Sequence, residues 1–284
     1  MTDENPVRYE RRDAMAVVTM NRPAFGNAQN SAMTYALDDA FSRAVDDDDV
    51  AVIVLAGAGK HFSAGHDIGT PGRDVGVEYP RRAAILPTHV GRAGADGRLT
   101  REAEVYLGMC RRWRAIPKPT IAMVQGACIA GGLMLAWSCD LIVAAEDAFF
   151  CDPVVTMGIP GVEYFAHPWV MGPRMAKEFL YTGRRVGAAE AKELGMVNRV
   201  VEPERLEEET FRLAGSIAGK PAFGLALAKK AVNQCEDLMG LHAGIDSVFG
   251  LHHVAHAHNA EVSSDSLAGF DPKAMRDSVR NGRA

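Results

Sequence analysis

Two adjacent glycines, Gly131 and Gly132, stand in the stretch GACIAGGLMLAWSCD (residues 126–140), directly ahead of an apolar run whose first charge is Asp140. A glycine pair opening a helix leaves backbone N–H groups without intrahelical acceptors and offers no Cβ to keep a ligand away. Such a place suits an anion, or an oxygen that becomes one during a reaction. The same pair equally serves the close packing of a helix onto a sheet. A second stretch, KHFSAGHDIG (residues 60–69), carries His66 and Asp67. In LHHVAHAHNAE (residues 251–261), His252 and His256 are four apart and share one face of a helix, a spacing that can ligate a metal. The acidic tract at residues 46–49 reads as a solvated turn, because neighbouring carboxylates supply no converging geometry.

These groups need a scaffold, and the hydrophobic pattern supplies one. Buried strands are expected at residues 15–21, 50–57, 120–126, 141–145 and 198–201. Helical segments are expected at residues 31–45 from a Ser31 cap, 101–115, 173–183 between Pro173 and Gly183, 188–195, 203–218 and 221–235. Strands dominate the first half and helices the last third, which indicates an α/β core with a helical C-terminal extension. Residues 69–100 combine glycines and prolines without a sustained period and read as a long loop.

With 284 residues and 48% hydrophobic content, the chain has ample material for a buried core. A net charge of −5 argues against a general nucleic-acid binder. The charged N-terminus has no apolar signal core, and polar residues interrupt the apolar stretch from Ile121 to Ala145, so neither a secretory segment nor a membrane span is expected. Five cysteines without a C-x-x-C pair fit reduced, buried thiols in a cytoplasm, and Cys128 and Cys139 lack a base nearby in the sequence.

KHFSAGHDIG, following VAVIVLAG, together with IPKPTIAMVQGACIAGGLMLAWSCDLIVAAEDAFF and LYTGRRVGAAEAKELGMVNRVV, closely resembles the crotonase family, the enoyl-CoA hydratase/isomerase superfamily. NRPAFGNA lies ahead of them, and the blocks match in order and spacing from about residue 14 to about residue 235. The resemblance implies a spiral of ββα units over residues 1–220 and a helical C-terminal trimerisation region over 221–284. It further implies an acyl-CoA thioester as partner, coenzyme A only as part of the substrate, no permanently bound cofactor, and a homotrimer or a hexamer of two trimers.

In such proteins two backbone N–H groups hold the thioester oxygen as it gains enolate charge; the matching positions are His66 and Gly131. Backbone at Ala64, Asp67 and Ile68 matches the coenzyme A contacts, and Ala24 stands where a lysine is frequent, leaving Arg22, Lys60 and Arg73 for phosphate. The two glutamates that activate water in hydratases are replaced by Met134 and Val154, neither of which can move a proton. Further along the same loop, DPVVTMGIPGVEYFAHP offers Glu163, one residue beyond a position that is acidic in other family members. Asp152 can serve as a turn cap or a catalytic acid, and Tyr164 and His167 can line the pocket or pack. The His66 imidazole is a second candidate for proton transfer, able to face the acyl group or simply to cover the turn. The resemblance assigns the histidine-rich segment to subunit packing and needs no metal. The implied reading is an acyl-CoA enzyme of unusual active site, with a non-catalytic acyl-CoA binder and an acyl-CoA decarboxylase as alternatives.

Overall fold

A computed structural model describes residues 5–68 and 85–264. The chain opens with β1 (Val7–Arg12) and β2 (Met15–Met20), followed by α1 (Ser31–Asp46) and β3 (Val52–Gly57). Next come α2 (Gly94–Glu102), a π-helical segment (Ala103–Gly108) and α3 (Met109–Ala115). The glycine region forms β4 (Thr120–Val124), β5 (Ala127–Ile129) and α4 (Gly131–Trp137). Beyond it lie β6 (Leu141–Ala145), β7 (Phe149–Cys151), α5 (His167–Met171), α6 (Pro173–Thr182), β8 (Val186–Gly187), α7 (Ala188–Glu193) and β9 (Arg199–Val201). Three helices close the chain: α8 (Leu206–Ala218), α9 (Ala222–Leu238) and α10 (Leu241–Ser263).

The strands form a six-stranded sheet in the order β1-β2-β3-β4-β6-β9 and a three-stranded sheet in the order β5-β7-β8. All pairs in the large sheet are parallel except β1 with β2. Successive units alternate between sheets: β4 lies in the large one and β5 in the small one, then β6 and β7 repeat the step. Ser63, beyond β3, bridges Cys128 of β5 in parallel, so the first unit extends the same pattern. This alternation winds the chain into a spiral.

Both faces of β3 are buried, as expected of a central parallel strand. Ile53 and Leu55 join the main core, while Val52 and Val54 join a second cluster with Ile121, Val143 and two residues of α8, Leu206 and Ala214.

Several boundaries differ from the sequence expectation. The N-cap of α1 is Asn30, not Ser31, and its side chain accepts a hydrogen bond from the Met33 N–H at 2.9 Å. Part of the expected loop at 69–100 is helical, since α2 begins at Gly94. Residues 69–84, with Arg73, lie outside the described residues. The short strands β5, β7 and β8 are too brief to show a period. β1, as VRYERR, hides as an edge strand whose charges face outward.

Candidate active site

Two backbone segments meet at the C-terminal ends of β3 and β5. The first is the turn after β3, held by the segment around Asn27. The Asn27 amide donates to the carbonyls of Ala58 (2.9 Å) and His61 (2.8 Å), and the Ser63 hydroxyl donates to the Asn27 carbonyl (2.9 Å). Behind the turn, Arg22 and Asp67 form a buried ion pair at 3.0 Å. His66 pairs with Gln29 through a parallel bridge in which the Gln29 N–H donates to Gly65 and the Asp67 N–H to Gln29. In a parallel bridge the N–H of the middle residue points the other way. The His66 N–H is therefore directed away from Gln29.

The second segment is the start of α4. Gly131 is its first residue, and Ala130 ahead of it adopts φ 47° and ψ −113°, a strained conformation for a residue with a Cβ. Two close approaches explain the glycine pair. A Cβ on Gly131 would lie 2.6 Å from Cε1 of the His66 ring, and one on Gly132 would lie 2.7 Å from the Ser63 carbonyl oxygen. A Cβ on Gly65, at φ 94°, would come within 3.2 Å of the Gly131 nitrogen. Gly132 thus allows close packing on the turn, and Gly131 allows the His66 ring to approach the start of α4. Among the described residues neither the His66 nor the Gly131 N–H has an acceptor.

Side chains converge beside these donors. Glu163 is buried, and its Oε2 lies 3.1 Å from the His66 Nε2. The His66 ring stacks on Tyr106 with centroids 3.7 Å apart, and its Nδ1 is buried without a hydrogen-bond partner. Tyr106 comes from the π-helical segment and receives a hydrogen bond from Arg101 at 3.1 Å. On the other side of Glu163, the His252 Nε2 lies 3.8 Å from Oε1. Burial pushes the Glu163 pKa up, but the facing imidazoles of His66 and His252 outweigh it and hold the carboxyl well below its ordinary range. His252 is held at about 9: burial lowers it, and the Glu102 and Glu163 carboxylates more than offset that.

These groups line a cavity that opens to solvent. Its wall includes His66, Asp67, Ile68, Val154, Glu163 and Tyr106. Of the two hydratase positions, Val154 is in this wall, whereas Met134 is buried in the main core.

The remaining expected residues divide clearly. Ala64 is exposed on the turn with its N–H bonded to the Gly26 carbonyl at 2.9 Å, and Lys60 is exposed nearby. Arg22 faces Asp67 and is only 4% exposed, so it braces the turn from behind and is not presented to an incoming phosphate. Asp152 is a clamp: its carboxylate accepts from the N–H groups of Val154 (3.4 Å) and Val162 (3.3 Å) and bonds the His167 Nε2 at 2.9 Å. His167 packs among Trp137, Phe165 and Phe179, and Tyr164 is in the core. The histidine-rich segment turns inward, with His252 and His256 in the cavity wall beside Glu102. Glu102 and Tyr106 carried no signal in the sequence beyond a helical pattern.

A spiral of alternating strands that brings two backbone segments together beside a buried carboxylate and imidazole defines a class of α/β proteins in which a site forms between the sheets. The chain belongs to the enoyl-CoA hydratase/isomerase family, whose sequence model matches residues 10–78 and 95–272. The structure resembles a probable enoyl-CoA hydratase from Mycobacterium thermoresistibile, with 48% identity, a TM-score of 0.82 and coverage of 91% of this chain and 99% of the other. A probable enoyl-CoA hydratase from Mycobacterium smegmatis is similar, at 46% identity, TM-score 0.82 and coverage of 92% and 98%. A crotonyl-CoA hydratase of Syntrophomonas wolfei is 33% identical over 254 residues, 88% of each chain. Among the described residues no helix is long and apolar enough to cross a membrane.

Proposed function

We propose that the protein acts on acyl-CoA thioesters by holding the thioester oxygen, as it becomes an enolate, between the N–H groups of His66 and Gly131. His66 serves as the proton carrier in place of the two missing glutamates. The observation that carries this reading is the 3.1 Å contact between Glu163 and the His66 Nε2 immediately beside Gly131. With the Glu163 carboxylate accepting the Nε2 proton, a neutral His66 keeps its lone pair on Nδ1, the atom without a protein partner. Nδ1 then takes the proton from the α-carbon of the substrate, or from a water adding to its double bond, while the electrons move onto the thioester oxygen. Glu163 is a positioning residue that fixes the tautomer and stabilises the imidazolium. Each backbone donor contributes about 3 kcal/mol to such a step. Coenzyme A contacts are assigned to the backbone of Ala64, Asp67 and Ile68. The assembly we infer is a homotrimer or a hexamer of two trimers, supported by the apolar residues exposed on α9 and α10.

The test is a panel of enoyl-, β-keto- and malonyl-type CoA thioesters read by mass spectrometry. On the preferred substrate, His66→Ala should lower kcat by at least about 10²-fold. Glu163→Gln should lower kcat with KM nearly unchanged, and Glu163→Asp should restore part of it. Binding without turnover across the panel would make the protein a non-catalytic acyl-CoA binder, and carbon dioxide release would make it a decarboxylase. Full activity in His66→Ala would remove the imidazole from the chemistry.

A further inference from the structure

The cavity has a second cluster that the acyl-CoA reading does not use. Glu102, at the end of α2, meets His252 and His256, one turn apart on α10; all three are buried, and one ligand atom from each lies within 4.8 Å of the others. The Nε2 atoms of the two histidines are 3.0 Å apart. The His252 Nε2 is 3.5 Å from the Glu102 Oε2, and the His256 Nε2 is 4.0 Å from Oε1. An ion bonded tetrahedrally to such atoms at about 2.0–2.2 Å holds neighbouring donors about 3.3–3.6 Å apart. The two imidazoles already sit close to that separation, and Glu102, whose two oxygens face one histidine each, has to move toward α10 to complete the set.

We propose that Glu102, His252 and His256 form a binding site for a zinc-class divalent cation, open toward the acyl-CoA cavity. The orientation of His252 supports it. Its Nδ1 lies 2.9 Å from the Gly161 carbonyl, an acceptor, so Nδ1 carries a proton and Nε2, which faces the cluster, is the atom left for a cation, taking the place of any proton held there. A backbone carbonyl behind the ligating imidazole is the usual support of a metal-bound histidine. The Glu102 Oε2 is buried and has no hydrogen-bond donor, although the His253 Nε2 approaches it to 3.2 Å. Two imidazoles and one carboxylate match zinc, cobalt(II), iron(II) or manganese, and do not match the all-oxygen preference of calcium or magnesium. Three protein ligands beside a cavity leave a position for water or substrate, the arrangement of catalytic rather than structural zinc sites. All three residues line the same cavity as Glu163.

The site is tested on the full chain without any thioester, so its failure and that of the acyl-CoA reading are separable. After dialysis against a chelator, zinc and cobalt(II) salts are titrated by calorimetry, and bound cobalt is read by its visible absorption. One equivalent per chain and a spectrum of four- or five-coordinate cobalt are expected. His256→Ala and Glu102→Gln should each weaken zinc at least tenfold, and loss of the exposed His258 in His258→Ala should change nothing. Magnesium should not compete. If the wild-type protein gives no saturable binding and no cobalt absorption, the cluster is held by shared protons alone and the proposal falls. The same follows if His256→Ala binds zinc as tightly as the wild type. Should a variant fail to fold, the wild-type stoichiometry and spectrum decide.

Discussion

At the scale of single residues, the glycine pair shows how neighbours of one type serve different ends. Alanine at 131 places its Cβ against an imidazole pinned by Tyr106 and Glu163, whereas alanine at 132 meets the Ser63 carbonyl of the fixed turn. Gly131→Ala is therefore expected to lower kcat/KM at least about tenfold, or ~1.4 kcal/mol, with a small effect on melting. Gly132→Ala should instead destabilise the fold by about 1–3 kcal/mol. For a chain of this size that lowers Tm by roughly 2–4 °C per kcal/mol. Thermal melts and steady-state kinetics on both variants check the split; equal effects on activity and stability in the two would contradict it. His66, Gly131 and Glu163 were legible in the sequence because motif spacing fixes backbone positions closely. Glu102 was not, because its role depends on where α2 meets α10, a contact between residues some 150 positions apart that no local pattern records.

At the scale of elements, the loop between β7 and α5 decides where the carboxylate sits. Asp152 ties both ends of that loop, accepting from Val154 and Val162 while bonding His167, and Glu163 follows Val162 directly. The clamp explains how the loop delivers Glu163 inward although the sequence offered its acid one position late. Asp152→Ala leaves two buried N–H groups and an imidazole without their acceptor, at about 1–3 kcal/mol each. A loss of about 3 kcal/mol in unfolding free energy is expected, together with loss of activity as Glu163 shifts. Denaturant melts followed by assays measure both, and an unchanged midpoint would show that the loop is held elsewhere. Inner strands of the large sheet announced themselves through apolar runs such as VIVLAG and LIVAA, mostly buried on both faces, whereas the charged edge strand β1 did not. The π-helical segment did not: AEVYLG reads as ordinary helix, and the wider turn that carries Tyr106 onto His66 emerges only from packing.

For the whole molecule, the C-terminal helices are incompletely explained by one chain. α9 has no buried residue, and it is tied to the core by polar contacts: Arg114 to Glu236 (2.9 Å) and Asp237 (3.0 Å), and Lys229 to Asp140 (2.9 Å). Meanwhile Phe223, Val232, Leu238 and Met239 are more than half exposed, as are Leu251, Val254 and Val262 of α10. Apolar surface of this kind on a helix already fixed by ion pairs is suited to a second copy of the chain, with association driven by its burial. The helical tail was legible as such in the sequence, but which of its faces turned inward was not: α10 buries Leu241, Ile245 and Phe249, spends His252 and His256 on the cavity, and leaves Leu251, Val254 and Val262 outside. We therefore expect a trimer or a dimer of trimers at micromolar concentration. Light scattering coupled to size exclusion should report three or six times the 30.6 kDa chain mass. Phe223→Glu with Leu238→Glu should shift the distribution toward monomer without unfolding the core, since neither side chain is buried in the chain itself. A wild-type protein that elutes as a monomer throughout would refute self-association, and a trimer indifferent to the paired charges would move the interface away from α9.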